Sequence, residues 1–212
     1  MDNNDTKTRI IEAAIEVFLD KGYAAATIRD ICSKAEANVA AVNYHFGSKD
    51  SLYAAALELI MASCQKSYPM AEGLAEASSP EERLRRFIRN LLRLIFPQDP
   101  EYARRSALIW LEFGNPSPAL ALLMERFIRP IKDSMESIVK EVIGPLDSET
   151  LQLCVVSIVG QQLFHAQNKA FISQIYPDKT YLPRDVDRLA EHIYHFSLAG
   201  LKALPGCPNK VD

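Results

Sequence analysis

Apolar residues recur along most of this chain at spacings of three and four, the period of an α-helix with one buried face. The pattern predicts helices at roughly 5–20, 28–34, 39–44, 48–67, 80–96, 101–113, 117–143, 148–172 and 185–204. Pro130 lies inside the seventh of these and should kink it near residues 126–130. The predicted fold class is therefore all-α.

The stretch 26–52 predicts two short helices joined by a tight turn and followed by the start of a third. Thr27 suits the N-cap of the first helix, with Asp30 as the reciprocal acid of a capping box. Asn38 suits the N-cap of the second helix and Ser48 that of the third. This is the layout of a helix-turn-helix, so double-stranded operator DNA is the leading candidate partner.

Short side chains at the start of the second helix allow it to approach the major groove closely. Asn38 can contact an adenine edge, and three neighbours offer methyl groups to thymine methyls: Val39, Ala40 and Ala41. Flanking hydroxyl, phenol and ammonium groups suit phosphate oxygens: Thr27, Tyr44 and Lys49. The alternative is that the small residues only pack against a core and that Tyr44 and Phe46 are core aromatics.

The first 52 residues resemble the DNA-binding domain of the TetR/AcrR family of bacterial transcriptional regulators. The matching segments are IIEAAIEVFLDKGYAAATI (10–28), IRDICSKA (28–35) and VNYHFGSKDSLY (42–53). The resemblance implies a recognition helix over 38–43 and phosphate contacts at Thr27, Tyr44, His45 and Lys49. It also implies a transcriptional repressor rather than an enzyme, in the bacterial cytoplasm.

Two residues depart from the family pattern. Glu36 stands in the turn where the family usually has glycine, so we expect either a reshaped turn or one without a left-handed residue. Asn43 stands where an aromatic is common, so its contact with the DNA backbone is expected to be polar.

The remainder of the chain is predicted to form a larger helical domain. A small-residue linker over 69–80 follows Tyr68-Pro69. We predict a helix-turn-helix domain over 1–50, a helical effector-binding and dimerisation domain over 51–206, and a flexible tail over 207–212.

The predicted helix over 148–172 is apolar on nearly every side, which is typical of a helix buried on all faces. A chain of 212 residues seldom encloses a helix so completely, so we expect a second subunit to cover part of it. The stretch SIVGQQLFHAQNKAFI (157–172) resembles the YbiH-type C-terminal domain of some of these regulators. That resemblance implies a helical ligand-binding domain and a homodimer formed by the last two long helices.

Aromatic residues in the C-terminal half predict an apolar effector cavity between the helices at 101–113, 117–143 and 148–172. The proposed lining contains two polar residues among four aromatic ones: Trp110, Phe113, Phe127, Gln161, Phe164 and His165. The alternative is that Gln161 and His165 are satisfied core or interface groups. Helix phase places three nearby charged residues at the surface, which favours a mostly apolar effector over a multiply charged one: Arg104, Arg105 and Glu112.

The charge of the chain bears on whether it can bind DNA. The net charge of −3 is unusual for a DNA-binding chain, but residues 21–49 carry four basic and two acidic residues. Four arginines on the helix after Pro80 are expected to pair with acids rather than bind phosphate: Arg85, Arg86, Arg89 and Arg93.

Several other kinds of site are not predicted. The four cysteines are far apart, which fits a reducing cytoplasm and not a structural zinc site. His192 and His195 beside Glu191 form a surface pair rather than a metal site. No catalytic motif, cofactor motif or membrane-spanning run is evident. The alternative to an effector-released repressor is a helical ligand-binding or adaptor protein without effector-controlled DNA release.

Overall fold

The computed structural model describes residues 3–204, with side chains from residue 5 onward. The described residues contain helices and turns and no strand, as the apolar period predicted. The predicted flexible tail at 207–212 lies outside the described residues. None of the described helices is by itself long and apolar enough to span a membrane, although one bent pair, Leu120–Ile143 with Ser148–Gln167, meets the length and composition criteria together.

The helices follow the predicted order. The first six are α1 (Asn3–Ala25), α2 (Ile28–Ala35), α3 (Val39–Phe46), α4 (Lys49–Ser67), α5 (Pro80–Ile95) and α6 (Pro100–Gly114). The rest are α7 (Leu120–Leu123), a π-helical turn (Met124–Ile128), α8 (Arg129–Ile143), α9 (Ser148–Gln167), α10 (Lys169–Ile175) and α11 (Pro183–Lys202).

The chain packs as two compact units. The first contains the described residues up to Cys64 together with Asp99–Ile128, and the second contains Gln65–Gln98 together with the described residues from Arg129 onward. The helix-turn-helix thus shares its packing unit with α6, α7 and the π-helical turn. The predicted domain boundary at residue 50 was drawn between the DNA-binding and the effector-binding parts, and it does not coincide with the division into packing units. It stays a prediction.

The core of the first unit forms around α1. Phe18, Ile10 and Ile15 of α1 are fully buried, α1 packs against α2 and α3, and the Phe18 ring contacts Tyr53 of α4. Burying a large apolar side chain stabilises a fold by ~1.5–3 kcal/mol, so this shared core holds α2 and α3 in place. Each of these two helices has eight residues, which is too few for a helix to be stable alone.

The core of the second unit forms where α5 packs against α8, α9 and α11. Leu84, Phe87, Ile88 and Leu92 are buried along one face of α5. Three of the four arginines on its other side pair with acids, as expected: Arg85 with Glu191, Arg86 with Glu82, and Arg93 with Asp187. The sequence prediction of a paired rather than a phosphate-binding face is confirmed for these three.

The helix predicted over 117–143 is irregular where the sequence places the kink. Residues Met124–Ile128 form a π-helical turn immediately before α8, in which Pro130 is the second residue. Proline has no N–H, so the carbonyl of Arg126 lacks its α-helical donor. The wider turn accommodates that missing bond.

The prediction of a single helix over 148–172 is wrong, because the helix is interrupted at Asn168, between α9 and α10. That residue has φ −114° and ψ 26°, and its side-chain amide donates to the Phe164 carbonyl at 3.0 Å. Asparagine side chains compete in this way with helical backbone bonds. As expected, one chain does not bury the helix on all faces, since Leu153 is 61% exposed. Its cover by a second subunit stays a prediction.

Candidate nucleic-acid interface

The start of α2 is held by a capping box. The Asp30 N–H donates to Thr27 Oγ1 at 3.1 Å, and the Thr27 N–H donates to Asp30 Oδ2 at 3.0 Å. The Lys21 ammonium lies 2.8 Å from Asp30 Oδ1. The bonds from Lys21 and Thr27 lower the pKa of Asp30 to about 2. The sequence prediction for this cap is confirmed in both directions.

The turn between α2 and α3 keeps a left-handed residue although it lacks glycine. Glu36 adopts φ 49° and ψ 44°, and its N–H donates to the Cys32 carbonyl. The Ala37 N–H donates to the same carbonyl at 3.0 Å. The turn therefore has the geometry that a glycine would give, with a carboxylate-bearing residue in the left-handed position.

The N-terminus of α3 is capped by Asn38, as predicted. Asn38 Oδ1 accepts a hydrogen bond from the Ala41 N–H at 2.7 Å. This bond uses one lone pair of the amide oxygen and fixes the side chain at the tip of the helix. The Asn38 amide N–H groups have no bond to protein in the described structure and remain able to donate to a base.

One face of α3 packs inward and the other faces solvent. Val42 is buried, whereas Val39 is 44% and Tyr44 76% exposed. Ala40 and Asn43 are exposed, and Ala41 and His45 are partly exposed. The alternative of Tyr44 as a core aromatic is therefore excluded. Six of the predicted DNA contacts thus lie on one short helix with open access: Val39, Ala40, Ala41, Asn43, Tyr44 and His45.

Lys49 has its ammonium bound to protein. Its Nζ donates to the Tyr23 carbonyl at 2.9 Å and to the Ala26 carbonyl at 3.2 Å, and it lies 4.5 Å from the centroid of the Tyr23 ring. Nearby, Ser48 Oγ accepts from the Ser51 N–H at 3.1 Å, so Ser48 caps α4 as predicted. The predicted phosphate contact of Lys49 requires these carbonyl bonds to be given up.

An aromatic cluster joins the end of α1 to the start of α4. The Tyr53 ring lies 4.8 Å from the Phe18 ring and 4.6 Å from the Tyr23 ring, measured between centroids. The Tyr23 hydroxyl donates to Asp50, and this bond together with burial raises the pKa of Tyr23 to about 12. The cluster fixes the angle at which α4 leaves the helix-turn-helix.

The surface position that helix phase predicted for Glu112 is wrong. It is 1% exposed, and its Oε1 accepts from the Ser117 N–H at 2.8 Å and from Ser117 Oγ at 3.0 Å. Burial, followed by the charge and hydrogen bond of Glu112, raises the pKa of Tyr53. Helix phase missed this residue because Ser117 and Tyr53, which satisfy the carboxylate, lie outside its helix.

The neighbouring arginines are held on the α1 side of α6. Arg104 is exposed, as predicted, and forms ion pairs with Glu16 and Glu101. Arg105 is half-buried, with an ion pair of 2.7 Å to Glu12. Both side chains therefore bind acids of the same unit.

The predicted effector residues fall in both units. Trp110 and Phe113 form an edge-to-face pair with centroids 5.9 Å apart in the first unit, where Phe127 is buried. In the second unit, His165 Nδ1 lies 3.0 Å from the Tyr181 hydroxyl, and burial lowers the pKa of His165. Phe164 is exposed. A cavity shared by all six residues stays a prediction.

Gln161 and its neighbour Gln162 have opposite surroundings. Gln161 Nε2 donates to Ser197 Oγ at 3.2 Å and lines a groove of ≈ 500 Å³ between α9 and α11. Gln162 is fully buried, and its Oε1 has no hydrogen-bond partner among the residues that the structure describes. Sequence reasoning selected Gln161 and missed Gln162, because an all-round apolar helix does not reveal which face is inward.

Two family models match the chain. Residues 10–56 match the model described as bacterial regulatory proteins, tetR family. Residues 80–201 match the model of the C-terminal domain of the HTH-type transcriptional dual regulator CecR. The second match contains the stretch 157–172 that carried the sequence resemblance.

Two curated relatives and two solved structures are similar to the chain. CecR from Shigella flexneri is 30% identical over 142 residues, 63% of this chain and 62% of the relative. The repressor NicS from Pseudomonas putida is 32% identical over 83 residues, 39% of this chain and 38% of the relative. The match thus spans less than two thirds of either relative.

The two structures share the fold. FadR from Bacillus subtilis in complex with stearoyl-CoA has a TM-score of 0.65 at 17% identity, over 91% of this chain and 98% of that one. PfmR from Thermus thermophilus has a TM-score of 0.61 at 19% identity, over 90% and 94%.

Proposed function

The chain belongs to the TetR family of bacterial regulatory proteins, and on that premise we propose that it is a DNA-binding transcriptional repressor. It acts as a homodimer in the cytoplasm and leaves its operator when a small, mostly apolar effector binds. The observation that carries the proposal is the solvent-exposed face of α3, which is capped at its N-terminus by Asn38 and presents Val39, Ala40, Asn43 and Tyr44 to solvent.

That face suits base contacts in the major groove. Val39 and Ala40 present methyl groups, and the Asn38 amide N–H groups can donate to a base acceptor. Asn43 and Tyr44 lie one turn further along, where polar groups can bind phosphate oxygens. Because the side chains at the tip are short, the backbone of α3 can approach the base edges closely.

Two of the four cations of the segment 21–49 already have partners within the protein, whereas Arg29 and Lys34 are exposed. Lys21 is paired with Asp30, and Lys49 is bonded to backbone carbonyls. We therefore expect affinity to depend strongly on hydroxyl and amide contacts and on the N-terminal ends of α2 and α4, whose N–H groups attract phosphate. The expected salt dependence is modest for a DNA-binding protein, because few counterions are displaced by bound cations.

The proposed dimer uses α9 and α11. Leu153 and Val156 on α9 are exposed, and Phe196 on α11 is 66% exposed, beside the groove that Gln161 lines. Large apolar side chains gathered on one surface mark protein interfaces in soluble proteins. A second copy that packs the same two helices against these residues gives a four-helix contact. Such a contact is expected to bury ~2,000 Å² or more of accessible surface in total, as stable dimers do.

Effector release follows from linkage between two binding sites. An apolar effector that prefers one arrangement of the dimer changes the spacing of the two α3 helices, which must lie ~34–36 Å apart to enter successive major grooves. Coupling of ~1–3 kcal/mol corresponds to a roughly 5–150-fold loss of operator affinity. FadR, whose structure contains stearoyl-CoA, supports an apolar ligand only by its likeness in fold.

The test of DNA binding is selection from a randomised duplex pool, followed by titration of the enriched duplex by fluorescence anisotropy. We expect a two-fold symmetric sequence with half-sites ~10 base pairs apart, centre to centre. Ala40→Leu should abolish binding to it, because the larger side chain holds α3 away from the bases. Ala62→Leu adds the same volume at an exposed position of α4 and should bind as the wild type does.

Failure of the wild type to enrich any duplex would contradict the proposed function and favour a helical ligand-binding or adaptor protein. Equal binding by Ala40→Leu and the wild type would retain DNA binding but move the interface away from α3.

A further inference from the structure

The three acids of the segment 21–50 have different surroundings. Asp30 is bonded to Lys21 and Thr27, and Asp50 accepts a hydrogen bond from the Tyr23 hydroxyl. Glu36 is exposed, and its carboxylate has neither an ion pair nor a hydrogen bond with any side chain that the structure describes. It is therefore the unpaired negative charge of the helix-turn-helix.

The backbone at Glu36 favours a different residue. Glu36 has φ 49°, and every other described residue with positive φ is a glycine. The bonds that close the turn use its backbone N–H and that of Ala37, so glycine would form them equally well. A glutamate held in a left-handed conformation costs stability, so its side chain is not explained by the fold of the turn.

The position of Glu36 brings its charge close to bound DNA. It lies two residues before Asn38, so the two Cα atoms are within ~7 Å of each other. The major groove is ~12 Å wide, and charges interact over a Debye length of ~8 Å at physiological ionic strength. With the tip of α3 in the groove, an unpaired carboxylate at Glu36 is repelled by phosphates unless it finds a donor.

We propose that Glu36 is a specificity-determining residue, whose carboxylate accepts a hydrogen bond from the amino group of a cytosine in each half-site. This inference rests on the proposed function and adds a base contact to it. Cytosine N4 is the donor that a carboxylate favours in the major groove, because the amino group of adenine lies beside the N7 acceptor, and guanine and thymine present acceptors there. DNA without that cytosine leaves the carboxylate unpaired beside phosphates, and binding to it weakens.

The test compares three variants on two duplexes. Glu36→Gln removes the charge and keeps the side-chain shape, and Glu36→Gly removes the side chain and the strain. Glu149→Gln is the control, because it makes the same change in net charge at an exposed residue of α9. The duplexes are the one enriched from a randomised pool by the wild type and a scrambled duplex of the same length and composition.

We expect both Glu36 variants to bind the scrambled duplex about 3–10-fold more tightly than the wild type, because a like-charge repulsion is removed from each subunit. Binding to the enriched duplex should not tighten, so the ratio of the two affinities falls by the same factor. A new selection with Glu36→Gly should lose a cytosine from each half-site. Glu149→Gln should keep the wild-type ratio.

The outcomes separate this inference from the proposed function. An unchanged affinity ratio and unchanged base preferences in both Glu36 variants would overturn the role of Glu36 while leaving DNA binding intact. Equal tightening on both duplexes would also overturn it, since repulsion would then act without regard to sequence. If the wild type binds neither duplex, the proposed function fails and the inference fails with it. Greater resistance of Glu36→Gly to urea would measure the strain of the turn separately.

Discussion

The Lys49 ammonium donates a hydrogen bond to the Tyr23 carbonyl at 2.9 Å and lies 4.5 Å from the centroid of the same residue's ring. Helix α1 loses its regular geometry at Gly22, where φ is 74°, so the carbonyls beyond it need donors from elsewhere. Lys49 supplies them from the first turn of α4, including a bond of 3.2 Å to the Ala26 carbonyl. This contact holds the segment that leads into the Thr27 cap.

Lys49→Ala should therefore act on the helix-turn-helix through its fold. We expect a loss of ~1–3 kcal/mol in the free energy of unfolding, because buried carbonyls lose a charged donor. Operator affinity should fall while the slope of log K against log salt stays close to that of the wild type. Lys66→Ala removes the same charge from the far end of α4 and is the control. A drop of about one unit in the slope would instead show that Lys49 binds a phosphate.

Tyr44→Phe should weaken DNA binding without affecting the fold. The Tyr44 side chain is 76% exposed, so removal of its hydroxyl leaves no buried group unpaired. Loss of one phosphate contact should weaken binding to operator and scrambled DNA alike by roughly 3–10-fold, at an unchanged unfolding midpoint. Tyr176→Phe, at an exposed tyrosine of the other unit, is the matched control. Equal affinity in the two variants would remove Tyr44 from the interface.

Low pH should weaken the contribution of the Asp30 cap to the stability of the fold. The pKa of Asp30 is about 2 in the folded chain and near 3.8 when unperturbed, so its stabilisation is present above pH ~4 and lost as the pH falls to ~2. Asp30→Asn should be less stable than the wild type at pH 6, and the difference should shrink between pH 4 and pH 2. Urea unfolding at each pH measures this, with Asp178→Asn as a control. A difference in stability between Asp30→Asn and the wild type that does not change with pH would show that the cap does not depend on the ionisation of Asp30.

Tyr53 and Glu112 should show strong energetic coupling. Tyr53→Phe deprives a buried carboxylate of a donor, and Glu112→Gln places an amide N–H group among donors. Each change should cost ~1–3 kcal/mol in the free energy of unfolding. The double variant should lose less than the sum, because the second change removes a partner that is already unsatisfied. Strict additivity in urea unfolding would show that the two side chains do not depend on each other.

Phe196→Asp should dissociate the proposed dimer. The Phe196 side chain is 66% exposed in one chain, so a charge there is tolerated by the monomer but not at the centre of an apolar contact. Light scattering should give the monomer mass, with helix content retained. Leu111→Asp places the same charge at an exposed apolar residue of α6 and should remain dimeric. A dimeric Phe196→Asp variant would place the interface elsewhere.

Local signals in the sequence were sufficient for the helix-turn-helix. Thr27, Asp30 and Asn38 cap helices through bonds that span three residues, so spacing along the chain predicts them directly. The same holds for the irregular turn before Pro130, which follows from a missing N–H.

Long-range partners decided what the sequence left open. Helix phase placed Glu112 at the surface, and only its packing against Tyr53 and Ser117 made burial of a carboxylate tolerable. Because α9 has apolar residues on every side, its sequence does not show whether Gln161 or Gln162 faces inward. The packing of α9 against α8 and α11 determines which face is buried. The sequence by itself determined the caps of α2 and α3 and the irregular turn before Pro130, because these features are local, but it did not reveal the helix break at Asn168. Which side chain is buried, and which backbone carbonyls the Lys49 ammonium is bonded to, depends on residues distant in sequence, so only the tertiary structure decided it.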